Sequence, residues 1–264
     1  MVPRPDAVNS AMGNFMTSPP ISNSDSLCIA LDGSDRSWIL STARTLSGHV
    51  GWLKIGLEAF LAHGPQLVGE VAALGPRVFL DLKLHDIPAT VRRAAANCAA
   101  CGADMLTVHA AGGRSMLTAA VEGATEGSRN ESPKVVAVTV LTSLDRSDLD
   151  ELGIERSPDD LVARWARLAK DCTLDGVVAS AHEASTLRDE CGAGFLIVTP
   201  GIRPEASAVD DQRRVLTPAE AVDAGADILV VGRPVTRANS PAEAAQRIVE
   251  EMTEARRAAA NNQL

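Results

Sequence analysis

The chain has 264 residues, 45% of them hydrophobic, with 20 Gly and 14 Pro, a composition that excludes a disordered or fibrous protein and suits one large domain. Its formal net charge of −9 argues against a nucleic-acid backbone or an anionic membrane as partner, because both need basic patches. A small anionic substrate stays admissible, since a few local Arg or Lys side chains outweigh a distant field beyond a Debye length of about 8 Å.

In chain order, the first 26 residues are rich in Pro, Ser and Asn and lack the apolar core of a signal peptide, so residues 1–26 are expected to be a disordered extension preceding a single domain over 27–264. After them, short apolar runs recur: LCIAL (27–31), VGWLKI (50–55), RVFLDL (77–82), MLTVH (105–109), KVVAVTV (134–140), DGVVA (175–179), FLIVT (195–199) and DILVV (227–231). Each reads as a strand buried on both faces. Between and after them, amphipathic stretches over about 35–47, 57–73, 88–101, 113–126, 158–171, 181–190, 217–224 and 241–259 read as helices. Ser157-Pro158, Thr217-Pro218 and Ser240-Pro241 supply a capping side chain followed by Pro in the first turn.

Eight strands alternating with eight helices predict an α/β fold of the TIM (β/α)8-barrel class. A doubly wound sheet would call for a Gly-rich first turn, and LDGSDRS contains no GxGxxG. No stretch approaches the roughly 18 apolar residues of a membrane span. The five cysteines, Cys28, Cys98, Cys101, Cys172 and Cys191, form no zinc pattern and read as reduced structural thiols, which favours the cytoplasm.

In a barrel of this class the active site is built at the C-terminal strand ends. Asp32, Lys54, Asp81, Lys83, His109, Thr142, Ser143, Pro200 and Arg233 all fall at or just after such ends. Asp81 and Lys83 are two apart, so on an extended strand both point to one face. With Asp86 and Lys54 close by, four alternating charges share one mouth, an arrangement costly to desolvate without a task. A pair about 4 Å apart attracts by roughly 4 kcal/mol at an effective dielectric of 20, enough to keep Lys83 protonated and suited to donating a proton. His109 reads instead as a packed, hydrogen-bonded side chain. Gly232-Arg233 after the last strand fits a barrel phosphate site, with backbone N–H groups and a cationic fork. Residues 198–215, VTPGIRPEASAVDDQRRV, are long for a βα loop and are expected to form a lid or binding loop.

Together the motifs ALD (30–32), KIG (54–56), DLKLHDIPATV (81–91), VTVLTS (138–143), TPGIRP (199–204), DQRR (211–214) and GRPV (232–235) resemble the orotidine 5′-monophosphate decarboxylase family over about residues 27–250. The resemblance implies cofactor-free loss of CO2 from C6 of orotidine 5′-monophosphate to give UMP in pyrimidine biosynthesis, with Lys83 protonating the resulting carbanion. It implies a charged network of Lys54, Asp81, Lys83 and Asp86, with Asp32 and Lys54 on the ribose hydroxyls. Thr142, Ser143 and Pro200 would meet the base, and Arg203, Gln212, Gly232 and Arg233 would meet the phosphate. It further implies a homodimer with composite sites, in which Asp86, Ile87 and Thr90 reach into the neighbouring subunit. Leu84 and Ala89 depart from the family's usual residues. A sister family with a similar DxKxxD motif uses Mg2+ on sugar phosphates, but HDIPATV, VLTS and DQRR favour the metal-free reading.

Overall fold

The computed structural model describes residues 23–204 and 216–261. Eight parallel strands close into a barrel in sequence order: β1 (Leu27–Ala30), β2 (Trp52–Gly56), β3 (Arg77–Leu84), β4 (Met105–His109), β5 (Lys134–Val138), β6 (Gly176–Val178), β7 (Leu196–Thr199) and β8 (Ile228–Val231), with β1 hydrogen-bonded to β2 and β8. The main helices are α1 (Arg36–Leu46), α2 (Leu57–Ala72), α3 (Pro88–Ala100), α4 (Gly113–Gly127), α6 (Pro158–Asp171), α7 (Ala181–Cys191), α8 (Pro218–Asp223) and α10 (Pro241–Asn261). Two short helices escape periodicity because they have too few turns to show one. These are α5 (Arg146–Glu151), started by an Asp145–Asp148 capping box, and the single turn α9 (Arg233–Thr236). α2 is broken at Gly64-Pro65, where Gly64 leaves helical geometry and Pro removes an N–H.

Strand alternation sorts the core into two shells. Leu27, Ile29, Leu53, Ile55, Val78, Leu80, Leu106 and Val108 face outward onto the helices. Cys28, Ala30, Trp52, Phe79, Met105, Val136, Val198, Ile228 and Val230 fill the interior. Each large side chain buried this way contributes about 1.5–3 kcal/mol. Burial pushes the Cys98 thiol up to about 12 and raises Cys28 as well. All five cysteines are free and four are buried, in keeping with inert packing.

The bottom of the barrel carries a repeated device. The Asp preceding each of β4, β6 and β8 accepts the N–H of a residue in the preceding strand: Asp104 from Val78 (2.7 Å), Asp175 from Val135 (2.8 Å) and Asp227 from Ile197 (2.8 Å). Arg188 of α7 then ties Asp227 (2.5 Å) to the carbonyls of Gly192, Phe195 and Gly225. Asp227→Ala leaves both Ile197 N–H and the half-buried guanidinium short of an acceptor. It is expected to cost about 1–3 kcal/mol, read as a fall in Tm of roughly 2–4 °C per kcal/mol with the activity of the folded protein retained.

α3 and α4 pack at backbone distance because α4 presents glycines there. A Cβ on Gly123 or Gly127 would come within 2.0 Å of the Arg92 or Ala96 carbonyl oxygen. Residues 1–22 of the expected extension lie outside the described residues. Residues 23–26 are docked on α10: Ser24–Ser26 form a 3-10 turn, Asn23 donates to Thr253 Oγ1 (2.7 Å), and Arg256 donates to Asn23 and to Ser26 Oγ (2.9 Å).

Candidate active site

The interior layer dictates what stands above it. Two residues beyond Trp52, Phe79 and Met105, on the same inward face, come Lys54, Asp81 and Thr107. Asp81 sits between two ammonium groups, with Oδ1 2.8 Å from Lys83 Nζ and Oδ2 3.4 Å from Lys54 Nζ. Lys54 also donates to Asp32 Oδ1 at 3.1 Å. Burial alone would raise the Asp81 carboxyl, but Lys54, Lys83 and the Thr107 hydroxyl outweigh it and hold it below its ordinary value. Burial likewise pulls Lys54 down, and Asp81 and Asp32 overcome it and hold Lys54 above its ordinary value. Asp81 and Lys54 thus hold each other in their charged forms at the centre of the chain Asp32–Lys54–Asp81–Lys83. Gly56 leaves room for it, since a Cβ there would lie 3.1 Å from Asp32 Oδ1 and 3.3 Å from Lys54 Nζ.

Simple strand alternation does not explain Lys83. Its φ is +51°, a left-handed conformation that costs a residue with a Cβ. β3 shifts register here: Leu80 pairs with Leu106, and Leu84 with Val108. Asp81, Leu82 and Lys83 thus stand opposite Thr107 alone, a bulge that re-aims the lysine toward Asp81. Beyond the bulge, His109 is half-buried with its ring 5.4 Å from that of His85. Burial first, then His85 and Lys83, lower its pKa.

Two adjoining cavities meet at this network, and both are lined by Lys54, Asp81, Pro200 and Val230. The larger, about 650 Å³, runs past Asp32 and Trp38 to Arg203, Gly232, Arg233 and Arg237. The smaller, about 170 Å³, is walled mainly by apolar side chains, among them Phe79, Val138, Val140 and Leu141, with Lys83 and Thr142 at its edge. One chamber suits an anionic group and the other a flat ring, with the four-charge chain between them.

Of the expected site residues, Asp32, Lys54, Asp81, Lys83, Thr142, Pro200, Arg203, Gly232 and Arg233 line these chambers. Ser143, Asp86, Ile87 and Thr90 line neither. Asp86 is exposed and accepts from the Ile87 N–H at 2.6 Å, and Ile87 is 66% exposed. Gln212 and most of the expected lid lie outside the described residues. The described ends of that loop are joined, because Ile202 bridges Leu216 and Arg203 N–H donates to the Leu216 carbonyl (3.0 Å). Thr107, Trp38 and Arg237 escape a motif-based reading. The spacing from Met105 is the signal that would have found Thr107.

A closed (β/α)8 barrel with an alternating Asp–Lys chain at its C-terminal mouth, beside an arginine-lined chamber, has the build of a TIM-barrel enzyme, with its candidate active site at the C-terminal strand ends. Comparison with known proteins narrows this. The model of the orotidine 5′-phosphate decarboxylase / HUMPS family matches residues 25–248, and the chain belongs to that family. It is 52% identical over 225 residues to an orotidine 5′-phosphate decarboxylase of Anaeromyxobacter sp. strain K (85% of this chain, 97% of the relative). It is 47% identical over 234 residues to that of Nitrosospira multiformis (89% and 96%). The crystal structure of orotidine 5′-phosphate decarboxylase from Lactobacillus acidophilus superposes with a TM-score of 0.78 at 35% identity, covering 86% of this chain and 98% of the other.

Proposed function

We propose that the chain decarboxylates orotidine 5′-monophosphate to UMP and CO2 in de novo pyrimidine biosynthesis, without a cofactor, and that Lys83 protonates C6. The observation that carries this reading is the Lys83 ammonium 2.8 Å from a carboxylate that a second lysine also holds ionised. When the C6–CO2 bond breaks, its electron pair stays on C6. A fixed cation facing that carbon stabilises the charge without reorganisation. Transfer of one Lys83 proton to C6 completes UMP and leaves a neutral amine, which recovers a proton from solvent.

The apolar chamber takes the pyrimidine with Thr142 and Pro200 at its edge and Ser143 next to Thr142 just outside it, and Asp32 and Lys54 hold the ribose. Arg203, Gly232 and Arg233 take the phosphate, with Gln212 as a further ligand. Binding energy at that remote phosphate can drive closure and expulsion of water around C6. Arg233→Ala is therefore expected to raise KM by roughly 10- to 100-fold, the worth of a charge-assisted hydrogen bond, with a smaller change in kcat.

A homodimer with shared sites accounts for Asp86, Ile87 and Thr90, which stand on the rim apart from their own chambers. Mixing Asp86→Ala with Arg233→Ala protein should regenerate one intact site per heterodimer, and mixtures without recovered activity exclude sharing. Reduced, buried thiols suit a cytoplasmic enzyme. The primary test follows orotidine 5′-monophosphate absorbance in excess EDTA. Metal-independent loss is expected, and turnover abolished by EDTA would turn the assignment to the metal-dependent sister chemistry.

A further inference from the structure

Thr107 is 1% exposed, lies on the inward face of β4, and belongs to none of the motifs that carry the family resemblance. Its hydroxyl makes two hydrogen bonds of opposite sense. It accepts from the backbone N–H of Lys83 at 2.8 Å and donates to Asp81 Oδ1 at 3.0 Å. A hydroxyl has one proton to give and lone pairs to accept with, so the two roles are compatible and together fix its rotor.

The position explains why both bonds matter. Three residues of β3 stand opposite this single residue of β4, so regular ladder pairing is interrupted at Lys83. The Thr107 oxygen supplies the acceptor that a backbone carbonyl would otherwise provide. The same Lys83 sits at φ +51°, a conformation that persists only where its surroundings enforce it. Asp81 Oδ1 receives the Thr107 proton and the Lys83 ammonium together. One side chain therefore sets the backbone of the proton donor and the orientation of its counter-ion.

We propose that Thr107 is a positioning residue for the reaction: its hydroxyl holds the bulge that aims Lys83 and fixes the Asp81 carboxylate against it. The inference rests on the decarboxylase reading for its kinetic consequence but not for its hydrogen bonds. Thr107→Val keeps the shape and removes both bonds, whereas Thr107→Ser keeps both bonds and removes a methyl group. In Thr107→Val, kcat is expected to fall by roughly 10- to 100-fold, the scale of a displacement of about 1 Å in a reacting group, with KM changed less than the phosphate-site variant changes it. Loss of the Asp81 donor should also move the acid limb of kcat/KM to higher pH, because a carboxylate with one hydrogen bond fewer is protonated more readily. Thr107→Ser should restore both readouts even if its Tm drops.

Titration of the Asp81 carboxyl by carbon-13 NMR, in the wild type and in both variants, reads the same bond without turnover. An Asp81 titration that moves up in Thr107→Val and not in Thr107→Ser supports the proposal, including in a protein that fails to consume orotidine 5′-monophosphate and so overturns only the activity. An unmoved titration and unchanged kcat in Thr107→Val overturn the positioning role. So does a Thr107→Ser protein as impaired as Thr107→Val, because that would assign the effect to packing of the methyl group.

Discussion

Lys83→Ala loses turnover by on the order of 10⁴-fold or more, since it removes both the proton donor and the cation facing the developing charge. The loss falls on kcat, because the chambers that bind the two ends of the substrate keep their walls. Folding is barely affected. The Lys83 side chain is 37% exposed, an ion pair of that exposure contributes about 0–1 kcal/mol, and Ala occupies the bulge with the same backbone. Thermal unfolding beside single-turnover kinetics makes the comparison. A variant that retains a tenth of the wild-type kcat would remove Lys83 from the chemistry.

The second large effect is Asp81→Asn, which should damage activity and stability together. Asp81 is the anion shared by two lysines, and its side chain is only 12% exposed. Removing one partner of a buried ionic cluster costs about 3 kcal/mol, near the lower end for such pairs because Asn still accepts a hydrogen bond. For a chain of this size that corresponds to a Tm lower by roughly 6–12 °C.

The pH dependence follows from the direction of each shift. The folded carboxyl lies below its ordinary value of 3.8, so its contribution is present above that pH and is lost as pH falls through the lower folded value. The stability gap between wild type and Asp81→Asn should therefore close in acid. Lys54 behaves in the opposite sense. It is held above its ordinary 10.5, so its contribution is present below that pH and fades as pH rises through the higher folded value. With Asp81 gone, the alkaline loss begins earlier. Urea denaturation across acid and alkaline pH tests both limbs, and a gap that widened in acid would contradict this assignment of charge.

Much of this was legible in the residues. Eight apolar runs with capped helices between them specify the barrel, because parallel strands buried on both faces have few other ways to close. Asp32, Lys54, Asp81, Lys83 and Arg233 were visible as charges at strand ends. Lys83 was expected beside Asp81 for an incomplete reason, since a spacing of two assumes regular strand geometry and the protein uses a bulge that no local propensity announces. Thr107 was hidden because threonine is ordinary in strands, and only its partners across β3 give it meaning. The aspartates beneath the barrel, in GAD and LDG, look like turn residues until the N–H groups they accept are seen. Asp86, Ile87 and Thr90 line neither of their own chambers, and a single chain does not say what they touch.

The docking of Asn23 and Ser26 on α10 matters for how the chain is made. A ribosome releases β1 long before that strand's second neighbour, β8, and before Arg256, the arginine that fastens the turn preceding β1. At typical elongation rates the delay is on the order of ten seconds or more. Throughout it the nascent chain carries an unsealed parallel edge, which invites pairing with other chains. Truncation just before Arg256 would leave every proposed catalytic group in place and remove the arginine's bonds to Asn23 and Ser26, with the Asn23–Thr253 bond left alone to hold the turn. Such a product should be limited by yield in translation, through aggregation and chaperone demand, well before it is limited by its chemistry.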